Sequence, residues 1–176
     1  LTTEYPDEAV LELDSRRRIY EVVKKHAGSH FREIERKADM PAGTVRYHLS
    51  YLSRHGLIKE EKDGRKTRFF PRELRAENQK LLGLLRQKSV RDMILTILSD
   101  ENYNHERIVK AVGISPPTVS WHLKKLEECG VIESKRAGRN VFYRLLADKE
   151  EIIKLLITYR ESFVDELVDR VIEMWG

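Results

Sequence analysis

Residues 41–58 read PAGTVRYHLSYLSRHGLI, and residues 117–132 repeat the pattern as PTVSWHLKKLEECGVI. In both, small or hydroxylated residues precede a run in which Val, Leu and Leu recur four and then three positions apart. These are Val45, Leu49 and Leu52, and then Val119, Leu123 and Leu126. That spacing places all three on one helical face. The opposite face carries Thr44, Arg46, Tyr47, Ser50 and Arg54 in the first copy, and Thr118, Ser120, Trp121, Lys124 and Lys125 in the second. Such a helix packs by one side and presents donors, cations and an aromatic ring from the other.

The similarity extends outward from these helices. Sliding the sequence on itself by 74 residues aligns residues 15–71 with 89–145 without a gap. Identical pairs include Ile34/Ile108, Thr44/Thr118, His48/His122, Gly56/Gly130, Gly64/Gly138 and Arg65/Arg139, and Tyr47/Trp121 and Phe69/Tyr143 keep an aromatic ring. The matches fall on core positions, a helix stop and a turn, so one supersecondary unit occurs twice.

Each copy predicts the same order of elements. In the first, Asp14 or Ser15 caps a helix to about Lys25 with Ile19, Val22 and Val23 inward, and Gly28 ends it. Ser29 caps a short helix to about Ala38, with Phe31 and Ile34 toward the core. The helix quoted above follows and stops at Gly56. Strands at Leu57–Glu61 and Thr67–Phe70 then flank the turn signal Lys62-Asp63-Gly64-Arg65. The second copy predicts helices over about Val90–Leu98, His105–Val112 and Pro116–Cys129, with strands at Val131–Lys135 and Val141–Leu146. The expected fold is mainly α with small β-hairpin wings: two tandem winged helix-turn-helix domains at residues 15–71 and 89–146. An acidic arm (1–14) precedes them, a connecting helix (72–88) joins them, and a long C-terminal amphipathic helix (147–176) follows. In that last helix Ile152, Leu156, Tyr159, Phe163, Leu167, Val171 and Trp175 recur at three or four residues, and Asp148 can cap it. The stripe suits folding back on the repeats or homodimer formation.

Charge is distributed unevenly around a net of +4. Residues 1–14 hold five acids and no base, residues 15–71 hold 15 bases against 7 acids, and residues 72–88 hold 5 against 2. Residues 89–145 hold 9 bases against 7 acids, and residues 146–176 hold 4 against 8. A polyanion is therefore drawn to the middle of the chain and repelled by its ends. One cysteine excludes an internal disulfide framework and fits a reducing compartment. No run has the length of a membrane helix, and no signal-peptide pattern is visible, so a cytoplasmic location is expected. The chain begins at Leu1 rather than Met, which leaves room for an upstream membrane anchor.

An α-helix fits the major groove of B-DNA, where side chains near its start reach base edges. Arg46 suits bidentate contact to guanine, Ser50 and Ser120 suit less discriminating bonds, and Thr44 and Thr118 suit phosphate oxygens. The wings add Lys62, Arg65, Lys66 and Arg68 in the first unit, and Lys135, Arg136 and Arg139 in the second. Tyr47 and Trp121, each beside a buried stripe, read more readily as partial core than as readers of bases. His48 and His122 have no second His, Cys or acid three or four residues away, so phosphate contact or a structural hydrogen bond is expected and no metal site. His26, His30, His55 and His105 read as surface residues, and Cys129, with no partner thiol, as structural. Glycine-rich phosphate loops, a Ser elbow, H-E-x-x-H and paired carboxylates between strands are all absent, so no enzyme and no cofactor are expected.

At T-V-R-Y-H-L-S-Y-L-x-x-x-G-L-I and T-V-S-W-H-L-K-K-L-x-x-x-G-V-I the sequence resembles the ArsR-type winged-helix repressors. With two gapless copies it resembles more closely the archaeal transcription regulators with tandem winged-helix domains. The resemblance covers residues 15–146 and implies DNA-binding control of transcription, with Thr44, Arg46, Tyr47 and Ser50, and Thr118, Ser120, Trp121 and Lys124, in the reading positions. One departure matters. Metal-sensing relatives carry paired thiols in an early helix, or Asp and His ligands in the last one. Residues 15–40 and 89–114 contain no Cys, and residues 148–175 contain no Cys or His, so no metal effector is expected. The expected function is a sequence-specific transcription regulator that binds double-stranded DNA. The alternative is a winged-helix module that assembles protein complexes.

Overall fold

The computed structural model describes residues 13–101 and 103–163. Residues 1–12 of the acidic arm, and Leu167, Val171 and Trp175 of the last apolar stripe, lie outside the described residues. In chain order the first part comprises α1 (Asp14–Lys25), β1 (Ser29–His30), α2 (Phe31–Ala38), α3 (Ala42–Arg54), β2 (Ile58–Asp63), β3 (Lys66–Pro71) and α4 (Ala76–Arg86). Then come α5 (Lys88–Ser99), β4 (Tyr103–Asn104), α6 (His105–Val112), α7 (Pro116–Glu128), β5 (Ile132–Ala137), β6 (Asn140–Leu145) and α8 (Lys149–Thr158). Two compact units result: residues 13–82 with 159–163, and residues 83–158. The division falls inside α4.

In the first unit Val45, Leu49 and Leu52 of α3 join Ile19 and Val23 of α1, Ile34 of α2, and Leu57, Ile58 and Phe69 in one buried cluster. The Val-Leu-Leu stripe thus binds three helices to the base of a hairpin, and at ~25 cal/mol per Å² its burial is what holds α3 to the scaffold. In the second unit Val119, Leu123 and Leu126 are buried in the same way, as are Ile94, Ile97 and Ile108. The helices α3 and α7 stop alike. Gly56 and Gly130 share a φ of 71°, and the following amides, Leu57 N and Val131 N, donate to the Leu52 and Leu126 carbonyls at 3.0 Å.

Each unit contains one strand that the sequence reading missed. β1 pairs antiparallel with β3 (Ser29↔Phe69, His30↔Arg68), giving the sheet order β1-β3-β2. β4 pairs with β6 (Tyr103↔Tyr143, Asn104↔Phe142), giving β4-β6-β5. The hairpins run in matched register, from Ile58↔Pro71 to Asp63↔Lys66 and from Ile132↔Leu145 to Ala137↔Asn140. The 74-residue offset of the sequence therefore survives into every strand pairing.

The caps differ from expectation. Leu13 occupies the N-cap of α1 without a side-chain bond, and Asp14 sits in the first turn, where its charge still meets the positive helix end. Ser29 belongs to β1 rather than capping α2, since its hydroxyl is taken by the His26 carbonyl at 2.6 Å; His30 occupies that cap. The expected continuous helix over 148–175 is interrupted. α8 ends at Thr158, Tyr159 forms a turn closed by Ser162 N donating to the Tyr159 carbonyl at 2.9 Å, and residues 160–163 are helical again. The three-residue closure replaces the helical ladder there. Beyond it the chain folds back on the first unit, where Lys25 Nζ lies 3.0 Å from Glu161 Oε2.

Candidate nucleic-acid interface

Packing of the apolar stripe fixes which residues α3 presents. Arg46, Tyr47, Ser50 and Arg54 are exposed and Thr44 is half-buried. The Arg46 guanidinium lies 4.8 Å from the centroid of the Phe31 ring at the start of α2, a cation–π contact that restricts where its donors can point. Arg54 folds back along its own helix, Nε donating to the Ser50 carbonyl at 3.4 Å. Tyr47 is 57% exposed, which overturns the partial-core expectation. Its ring meets the next residue, His48, edge-to-face at 5.1 Å and 71°. Behind it Tyr51 stacks on His55 at 4.0 Å, with the Arg16 guanidinium 3.5 Å from its ring centroid.

His48 departs from the expected phosphate contact or structural hydrogen bond. It is buried, its Nδ1 has no hydrogen-bond partner, and burial first, then the Arg16 cation, lower its pKa from the usual histidine value. It is therefore a neutral packing residue behind Tyr47. His26 is also buried rather than on the surface, and His30 is partly so.

On the first wing Lys62, Arg65 and Lys66 are exposed. Arg68 is not, and its expected place among the backbone-contacting cations is corrected. It is 6% exposed, with Nε donating to Asp63 Oδ2 at 2.9 Å and Nη1 to the Gly28 carbonyl at 2.8 Å. The cause is β1, which pairs His30 with Arg68 and covers that position. His30 completes the brace: Nδ1 donates to the Thr67 carbonyl at 3.1 Å, and Nε2 lies 3.7 Å from Asp63 Oδ2. Burial, then the Arg68 cation, hold the His30 pKa below its usual value.

The second unit presents Thr118, Ser120, Trp121 and Lys124 exposed and Lys125 half-buried on α7, with Lys135, Arg136 and Arg139 exposed on the wing. Ser115, which sequence reading passed over, caps α7: its Oγ accepts from Thr118 N at 3.4 Å and shares a 2.7 Å bond with Thr118 Oγ1. The signal was present as Ser before Pro116 at the first helical position. His105 Nε2 and Ser120 Oγ share a hydrogen bond at 2.8 Å. Trp121, 60% exposed, meets His122 edge-to-face at 5.0 Å and 72°, and Lys125 Nζ lies 5.5 Å from the indole centroid. His122 repeats the pattern of His48, with an unpartnered Nδ1 and a pKa lowered by burial and then by Lys125.

Each unit thus offers a helix bearing hydroxyls, cations and an exposed aromatic beside a cationic hairpin. Among the described residues no group of three or more His, Cys, Asp or Glu converges, and no helix is long and apolar enough to cross a membrane.

Residues 13–82 match the family described as an N-terminal HTH domain, and residues 88–134 match the family described as bacterial regulatory protein, arsR family. An uncharacterized HTH-type transcriptional regulator of Methanocaldococcus jannaschii is 31% identical over 148 residues, covering 84% of this chain and 37% of that protein. The chain therefore spans little more than a third of that relative. The biofilm growth-associated repressor of Xylella fastidiosa is 26% identical over 105 residues, 58% of this chain and 92% of that one. Among solved structures, the transcriptional repressor BigR from Xylella fastidiosa matches at 24% identity and a TM-score of 0.40, over 48% of this chain and 82% of that one.

Proposed function

We propose that the chain, in which residues 13–82 match an N-terminal HTH domain and residues 88–134 match the arsR family, is a sequence-specific DNA-binding transcription regulator. In this reading α3 and α7 enter the major groove and the wings hold the backbone. The observation that carries it is the arrangement on α3: one face buried to the last residue of the stripe, the other presenting Arg46, Tyr47 and Ser50 beside a wing that exposes Lys62, Arg65 and Lys66. Arg46 supplies a planar fork suited to guanine O6 and N7, and Lys62, Arg65 and Lys66 supply charge to phosphates. In the second unit Ser120, Trp121 and Lys124 take the equivalent places, with Lys135, Arg136 and Arg139 on the backbone. Catalysis has no part in this reading, and a role on chromosomal DNA favours a cytoplasmic location.

We further propose that two copies pair through the C-terminal helix. Ile153 and Ile157 lie one turn apart on α8 and are exposed, an arrangement that favours an apolar partner surface. Sedimentation of the full chain tests this, with a dimer expected for the wild type and monomer for Ile157→Glu. Selection of bound fragments from a random duplex pool tests the main reading. A shared sequence should emerge. Failure to shift any duplex at low salt would instead assign the chain to the assembly of protein complexes.

A further inference from the structure

Two exposed aromatics on surfaces otherwise built for hydrogen bonds need a reason, because Tyr47 and Trp121 are each more than half exposed. Their settings match closely. Each ring stands edge-to-face on the following histidine, at 5.1 Å and 71° for Tyr47 and 5.0 Å and 72° for Trp121. Both histidines keep Nδ1 out of solvent without a hydrogen bond, so they act as neutral packing surfaces. The fold therefore fixes the plane of the aromatic ring twice.

The polar atom is not fixed in the same way. A phenol carries its donor at the far end of the ring, and an indole carries it on the side. A phosphate contact requires a donor at one place, whereas an apolar contact requires only the ring. What the two units hold in common is thus the flat apolar surface. In duplex DNA the faces of the bases are covered by their neighbours, so a side chain in the major groove meets only edges. The one apolar group on those edges is the C5-methyl of thymine.

We infer that Tyr47 and Trp121 are specificity-determining residues that recognise thymine by its C5-methyl group, one thymine for each recognition helix that enters the groove. This rests on the DNA-reading function proposed above and names the base feature that α3 and α7 select. Arg46 and Ser50 then read hydrogen-bonding edges next to the methyl that Tyr47 covers, so the expected first-unit site joins a guanine to a nearby thymine.

The test takes the best-bound duplex from selection and replaces its thymines by uracil one at a time, a change that removes only the methyl group. Affinity of the full chain is measured by fluorescence anisotropy at fixed salt. Loss of one buried methyl should weaken binding about fourfold at a thymine facing α3. Tyr47→Ala should abolish the difference between the thymine and uracil duplexes at that position, and Tyr47→Phe should retain it; Trp121→Ala should do the same for a thymine facing α7. Equal affinity for every uracil duplex would overturn the inference while leaving the DNA-reading function standing. So would Tyr47→Phe weakening both duplexes alike, the mark of a phosphate bond from the phenol. Absence of binding to any duplex at low salt would overturn both.

Discussion

Where the two helices of the first helix-turn-helix meet, Phe31 and Arg46 touch through a cation–π contact; 74 residues on, His105 and Ser120 share a hydrogen bond at the same junction. The position is kept and the chemistry exchanged. In the first unit the contact takes the face of the Arg46 guanidinium and not its N–H donors, whereas in the second it takes up one hydrogen bond of the Ser120 hydroxyl. The wings differ in a parallel manner. Asp63 and Arg68 form a partly buried brace near the turn of the first hairpin, and their counterparts are Ala137 and Phe142. The second hairpin places an ion pair elsewhere, Glu133 with Arg144, where the first has Lys59 and the buried Phe70. A duplicated scaffold tolerates such exchanges as long as volume and hydrogen-bond satisfaction are kept, because its shared Val-Leu-Leu stripe and glycine stops carry the fold.

The brace gives the largest expected effect. Arg68→Ala removes the guanidinium bonds to Asp63 and the Gly28 carbonyl, leaving Asp63 with the longer His30 contact, and should cost about 1–3 kcal/mol of stability in denaturant unfolding. Importing the second unit's solution, Asp63→Ala with Arg68→Phe, should restore most of that loss. A double variant as unstable as the single one would show that the two wings are not interchangeable solutions. Next is the reading junction. Arg46→Ala should weaken binding to the selected duplex by ~1–3 kcal/mol and relax preference at one base pair, while Ser120→Ala should change affinity several-fold less. Equal losses at both would break the asymmetry between the units.

The smallest effect is on pH dependence. His30, His48 and His122 have depressed pKa values in the fold, so the unfolded chain binds protons first as pH falls below the ordinary value of 6.5. Stability contributed by the neutral rings is complete above 6.5 and is lost as pH falls toward the lowered folded values. Thermal unfolding between pH 7.5 and pH 5, each value about a unit or more from that midpoint, should show this loss. It should be reduced in His48→Phe. An unchanged pH slope in that variant would place the titration elsewhere.

Much of this was legible in sequence because the repeat reinforced weak local signals. The Val-Leu-Leu periodicity, the glycine stops and the hairpin turns each occurred twice at one offset. What escaped depended on partners distant in the chain. Two residues are too few to show alternation, so β1 and β4 gave no signal of their own, and with β1 unseen Arg68 looked like an exposed wing cation. Tyr47 sits next to a buried position, and only the packing of His48 behind it decides that its ring faces outward. The turn at Tyr159 lies inside an unbroken apolar period; Glu161 beside Lys25 and the buried Phe163 show the chain turning onto the first unit there.

The claim on which the rest depends is that the exposed cations of the first wing meet phosphates. Affinity of the full chain for one selected duplex, measured across a salt series, tests it against a variant with Lys62, Arg65 and Lys66 all changed to Ala. At about 0.9 per phosphate contact, the slope of log affinity against log salt should become shallower by nearly three in the variant. Identical slopes for the two proteins would contradict the account.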